Sequence, residues 1–159
     1  MNPEEAALAR RALRSAAGCA RRLARSGAKL ASRFPLSAED VTALPPDVED
    51  DIDAFLKRYE QLVNTIQDEL FKVIAMVGGE DIRGLARRVV AELMDRLGAV
   101  PSAAGCRALV TIRNRIAHSY PDEPRRQAAY LNAAYASVDD VLAALETVRR
   151  YLEPRLPTG

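Results

Sequence analysis

Eight consecutive residues, Arg113, Asn114, Arg115, Ile116, Ala117, His118, Ser119 and Tyr120, gather the side-chain types that chemistry on a phosphodiester needs. His118 is the only histidine of the chain, five residues after Arg113 and two before Tyr120. Arginine offers a planar fork of N–H donors that holds a phosphate through two bonds at once. Histidine is the side chain best suited to moving protons near neutral pH. A cation and a proton carrier on one element are the minimum equipment for cutting a phosphodiester. Taken singly, the same residues have plainer uses, because a histidine or arginine in the last turn of a helix complements its dipole and faces water.

Helical phase separates these uses. An α-helix advances by about 100° per residue. With Arg113 as origin, Leu109, Ile112 and Ile116 collect at roughly 260–320° and form a core stripe. Tyr120 returns to within about 20° of Arg113, and Asn114 and His118 share a line roughly 100–140° round. Arg113, Asn114, His118 and Tyr120 therefore lie on one arc beside the core face, with small Ala117 between them. A substrate or a second backbone can approach such a surface.

The elements that must position this arc are all predicted to be helices. A first segment runs from about Pro3 to Phe34, with a kink or break expected near Gly18 or Gly27. Leu8, Leu13, Ala16, Ala20, Leu23, Leu30 and Phe34 recur along it at helical spacing, and seven arginines and Lys29 form its polar surface. Pro35 and Pro45-Pro46 bracket a loop in which Ser37 caps a short turn. A second, long helix starts near Asp47, where Asp47, Glu49, Asp50 and Asp51 suit the positive end of the dipole, and ends at Gly78-Gly79. A third spans about Gly84 to Leu97. A fourth begins after Ser102 and carries the eight residues to Tyr120, where Pro121 stops it. A fifth is capped by Asp122, takes Pro124 into its first turn and extends to about Leu152. No stretch alternates as a strand would. The fold class is all-α, an antiparallel bundle of about five helices. Residues 1–34 are expected to form a basic segment packed alongside, and residues 35–159 the main helical domain, with the core made after Asp47.

Composition narrows the function classes. At 159 residues the chain fits one domain with a real core, and a formal net charge of +1 does not by itself announce a nucleic-acid binder. Distribution matters more than the sum: the arginines of the first helix form either a solvated face or a phosphate-binding surface. Cys19 and Cys106 have neither metal-like nor redox-like spacing, and two cysteines make no disulfide framework. No apolar run reaches the length of a membrane span, and the arginine-rich start lacks the apolar segment of a secretory signal, although it superficially resembles a transit peptide. A cytoplasmic protein with reduced thiols is expected. The acidic cluster Glu49, Asp50, Asp51 and Asp53 serves the dipole of its helix better than a metal ion. No cofactor or metal is called for.

Arg113-x4-His118-x-Tyr120, with Asn114 directly after the arginine, resembles the signature of the HepT-like toxins, one branch of the HEPN superfamily of helical ribonucleases. The likeness extends to the run Phe55 to Leu62 followed by Gln67 to Phe71, which is similar to the long helix of that family. It also includes the connection Leu97 to Ser102 and the exit Tyr120-Pro121-Asp122. It covers roughly residues 35–153, while the first 34 residues match only loosely.

The resemblance implies a HEPN-like bundle acting as a metal-independent endoribonuclease. Two copies form a homodimer with the motif helices facing each other across a cleft. RNA brings its own nucleophile, the 2′-hydroxyl, so the protein has only to move protons and stabilise charge. His118 would be the general base or acid, Arg113 would hold the scissile phosphate, and Asn114 would orient His118 or bind a phosphate oxygen. One histidine per chain makes a two-histidine mechanism possible only if two copies share a site. Arg58 and Arg115 are further candidates for RNA contact, with surface or intrabundle pairing the alternative for Arg58 and for its neighbour Glu60. Tyr120 has two readings, a packing residue at the helix end or, by resemblance, the tyrosine that a cognate MNT-type nucleotidyltransferase antitoxin adenylylates. A different class of function, a non-catalytic helical adaptor for a nucleotide or a partner nucleotidyltransferase, stays open.

Overall fold

A computed structural model describes residues 2–116 and 122–157, and every regular element within them is helical. Helix α1 spans Pro3–Leu30. Its start is fixed reciprocally: the Asn2 side chain accepts from the Glu5 amide at 2.9 Å, and the Glu5 carboxylate accepts from the Asn2 amide at 2.8 Å. Against the expectation of a kink, α1 runs unbroken through Gly18 and Gly27. Its inward face is made largely of small residues, Ala9, Ala12, Ala16, Cys19 and Gly27, which let it lie close to its neighbours. The helix stops at Leu30 rather than Phe34, because the chain turns away there to stack Phe34 on Tyr135, centroids 4.3 Å apart.

Ser37 caps the short α2 (Ala38–Thr42), its hydroxyl accepting from the Asp40 amide. The loop before it is fastened to the far end of the chain by Asn132, whose side chain bonds both the amide and the carbonyl of Leu36 at 2.7 and 2.9 Å.

The long second helix is continuous but not uniform. It consists of α3 (Pro46–Asn64), a π segment (Thr65–Leu70) and α4 (Phe71–Gly78). The wider turn places Thr65, Ile66, Leu70 and Phe71 all inward. Gly79, at φ +72°, supplies the left-handed residue that ends α4, and the Glu80 amide reaches back to the Ala75 carbonyl at 2.8 Å. Helix α5 (Arg87–Arg96) begins three residues later than the sequence predicts. Gly84 stands at φ +72°, a left-handed conformation that cannot open a right-handed helix.

Helix α6 (Ala103–Ile116) carries Arg113, Asn114 and Arg115. The fifth predicted helix is two, α7 (Pro124–Ala136) and α8 (Val138–Leu152), and its N-cap position is Glu123, not Asp122. Ser137 makes the break. Its hydroxyl bonds the Ala134 carbonyl at 3.0 Å and the Tyr59 hydroxyl at 2.7 Å, so a buried side chain competes with the backbone ladder. Burial pushes the Tyr59 phenol up to about 12, against the lowering effect of the Ser137 bond.

One apolar cluster joins these elements into a helical bundle. It is not confined to the segments after Asp47, since Ala9, Ala16, Leu23 and Leu30 of α1 belong to it together with Phe55, Leu62, Ile74, Met94, Leu131 and Val148. Among the described residues, no helix is long and apolar enough to cross a membrane.

Candidate functional site

The position of α6 is set at its start. Ser102 accepts from the Gly105 amide at 2.9 Å, and the Asp95 carboxylate from α5 accepts from the Ala103 amide at 2.9 Å. Two of the free donors of the first turn are thereby satisfied, one of them by the preceding helix, which fixes the angle between α5 and α6. Ala103, Cys106 and Leu109 are buried, while Ile112 and Ile116 are half-buried against the same core. The predicted core stripe of α6 is the one observed.

Arg113 is drawn inward beside that stripe. It is half-buried, and its Nη1 donates to Asn64 Oδ1 at 2.6 Å. Its Nε is fully buried and has no hydrogen-bond partner among the described residues. Nor does any described carboxylate pair with it. The contrast with Arg83, Arg88 and Arg149, each paired to an acid within 3.0 Å, is chemical as well as geometric. An amide orients a guanidinium without cancelling its charge, whereas a carboxylate does both. Arg113 therefore keeps a full positive charge, a fixed direction and donor capacity to spare.

Asn64 was not singled out by the sequence. It is the last residue of α3, immediately before the π segment. A shallow cleft of about 320 Å³ opens beside it, between α1 and the π segment, lined by Cys19, Arg22, Gln61, Asn64, Thr65, Asp68 and Glu69. On α6 a second, more apolar groove of about 270 Å³ runs towards α8 past Gly105, Cys106, Leu109 and Ala144.

The other predicted residues fall as follows. Asn114 and Arg115 are exposed on α6. Arg58 is half-buried and points its guanidinium at the hydroxyl of buried Ser26 on α1, so α1 rather than Arg113 is its described neighbour. Glu60 pairs with Lys57 at 3.1 Å. In the acidic start of α3, Asp51 pairs with Lys29 of α1 at 2.6 Å. His118 and Tyr120 lie outside the described residues.

The Cys106 thiol offers no competing chemistry. Burial, with a smaller contribution from the Asp95 carboxylate, pushes the Cys106 thiol up to about 11, so it stays protonated at neutral pH. Cys19 is buried and unbridged.

In comparisons with protein-family models, curated proteins and solved structures, nothing matches this chain.

Proposed function

We propose that this chain is a HEPN-type endoribonuclease of the HepT-like kind, metal-independent and active as a homodimer. In this reading Arg113 binds the scissile phosphate and the charge that grows on it in the transition state. His118 takes the proton of the 2′-hydroxyl, whose oxygen attacks phosphorus. The bond to the 5′-oxygen breaks, and that oxygen leaves with a proton donated by an acid, which the second copy's His118 supplies. The products are a 2′,3′-cyclic phosphate and a free 5′-hydroxyl. Asn114 assists from the neighbouring arc. A nucleotidyltransferase partner restrains the activity by adenylylating Tyr120, because phosphate placed within reach of Arg113 competes with substrate phosphate.

The observation that carries this reading is the state of Arg113. A half-buried arginine held by an amide, with a buried Nε–H unpartnered among the described residues, supports a site that receives an anion. In this reading His118, the one histidine of the chain, supplies the proton transfer.

The test is incubation of the purified chain with a labelled RNA in excess chelator, beside His118→Ala and Arg113→Ala. Cleavage by the parent to a cyclic-phosphate end, lost in both variants, is the expected result. No cleavage, or equal cleavage by all three, overturns the assignment and leaves the adaptor reading.

A further inference from the structure

Charge is distributed very unevenly along this chain. Between Ala6 and Ala38 lie eight of its 23 lysines and arginines and none of its 22 acidic residues, so a chain of net charge +1 carries a strongly positive segment on a negative remainder. The structure turns this into a surface. Along α1, Arg10, Arg14, Arg21 and Arg25 fall within an arc of about 60°, nearly opposite the buried face, and the row is roughly 22 Å long. Arg14, Arg21 and Arg25 are exposed. Among the described residues no arginine of α1 makes an ion pair, and its one salt bridge is Lys29 with Asp51. Arg10 spends one N–H on the Pro157 carbonyl, which leaves its charge intact.

Such a row carries a cost, since like charges four apart on a helix repel. It does not serve the helix dipole either, because the arginines stand in the body of α1 and not in its last turn. A polyanion laid along the row relieves the repulsion and releases its own counterions. Small Ala17, Gly18 and Ala28 lie on the same side, so a backbone can come close. Arg22, on the edge of this surface, lines the cleft that also contains Asn64, the partner of Arg113. The row thus leads towards the candidate site. The π segment contributes Asp68 and Glu69 to the same cleft, which directs a polyanion to the α1 wall. A membrane surface fits less well: the apolar side of α1, with Ala9, Ala16 and Leu23 fully buried, is committed to the core and has nothing to insert.

We infer that the outer face of α1 is a phosphate-backbone docking surface for single-stranded RNA, separate from the cutting residues and feeding them. It rests on the proposed function for its ligand, but RNA binding and RNA cleavage are measured separately.

The test uses the full chain carrying His118→Ala, so that a fluorescein-labelled 20-nucleotide RNA survives the titration. Binding is followed by anisotropy across salt concentrations. Adding Arg14→Gln, Arg21→Gln and Arg25→Gln should weaken binding on the order of 100-fold at 0.1 M salt and lower the salt slope by about 2. A control with Arg88→Gln, Arg149→Gln and Arg150→Gln removes three ion-paired arginines and should leave both unchanged. Equal loss in the two triple variants, no loss in the first, or no RNA binding by the parent each overturns the inference. So does a first triple variant that releases phosphatidylserine vesicles yet keeps RNA, which would give the face to lipid. Cleavage by the histidine-intact chain with unaltered binding in the α1 variant overturns the docking surface and leaves the nuclease standing. Salt-dependent binding lost in that variant, without cleavage by the parent, supports the surface and removes the nuclease.

Discussion

Asn64 Oδ1 and Arg113 Nη1 meet at 2.6 Å across 49 residues of sequence, joining the end of α3 to the outer third of α6. The bond holds a guanidinium in place without neutralising it. Two substitutions at Asn64 separate those effects. Asn64→Ala frees Arg113 to swing, and under the proposed function, in which Arg113 holds the scissile phosphate, this loss of orientation is expected to lower kcat for RNA cleavage on the order of 10- to 100-fold with little change in KM. Asn64→Asp keeps the bond and strengthens it, but its carboxylate cancels the charge, so KM should rise as well. Steady-state kinetics on a labelled RNA distinguish the two patterns. Unchanged kcat in both variants would make the contact a packing detail.

The start of α6 permits a prediction about stability. A Cβ added at Gly105 would lie 2.9 Å from Ser102 Oγ, too close for the capping hydroxyl to stay where it is. Replacing glycine by alanine within a helix gains up to about 1 kcal/mol, and losing a serine cap costs about the same. The two effects oppose each other in Gly105→Ala alone, which should leave the melting temperature within about 2 °C of the parent. In a Ser102→Ala background the clash is gone and only the gain remains. A double-mutant cycle read by urea denaturation should therefore show a coupling of about 1 kcal/mol between these positions. Additivity would mean that the Ser102 hydroxyl still caps without strain once Gly105 is replaced by alanine.

What was legible in the sequence follows from how far each device reaches. Ser37 as a cap and Gly79 as a stop act within four or five residues, and both were predicted in place. The apolar stripe of α6 is a property of one helix, and it too was readable. The break at Ser137 was not, because it depends on Tyr59, 78 residues away. Asn64 escaped notice for the same reason, compounded by the π segment that begins at the next residue and changes the helical phase that sequence reading assumes. For Arg58 the sequence offered intrabundle pairing as an alternative but no partner, since nothing local marks Ser26 as the hydroxyl it meets. As for the candidate site, Arg113 was singled out from its neighbours in sequence, while Asn64, which holds its guanidinium, was visible only after folding.

The burial of Tyr59 gives the fold a pH dependence and fixes its sign, while the bond to Ser137 partly opposes the shift. The phenol is pushed from its ordinary value of 10 up to about 12, chiefly because its ionised form would sit in the core, with the Asp140 carboxylate adding to the effect. A folded value above the unfolded one means that the contribution is fully present below about pH 10 and is lost as pH rises from there towards 12. Tyr59→Phe removes the titration together with the hydrogen bond. Near pH 8 the variant should be less stable by about 1 kcal/mol, a modest loss because Ser137 keeps its bond to the Ala134 carbonyl. Above pH 10 the parent should lose stability with each further unit while the variant is spared this part of the loss, so their difference narrows and then inverts. Urea denaturation of both proteins at pH 8, 10 and 11 measures it. A constant difference across that range would show that ionisation of this phenol does not contribute to alkaline unfolding.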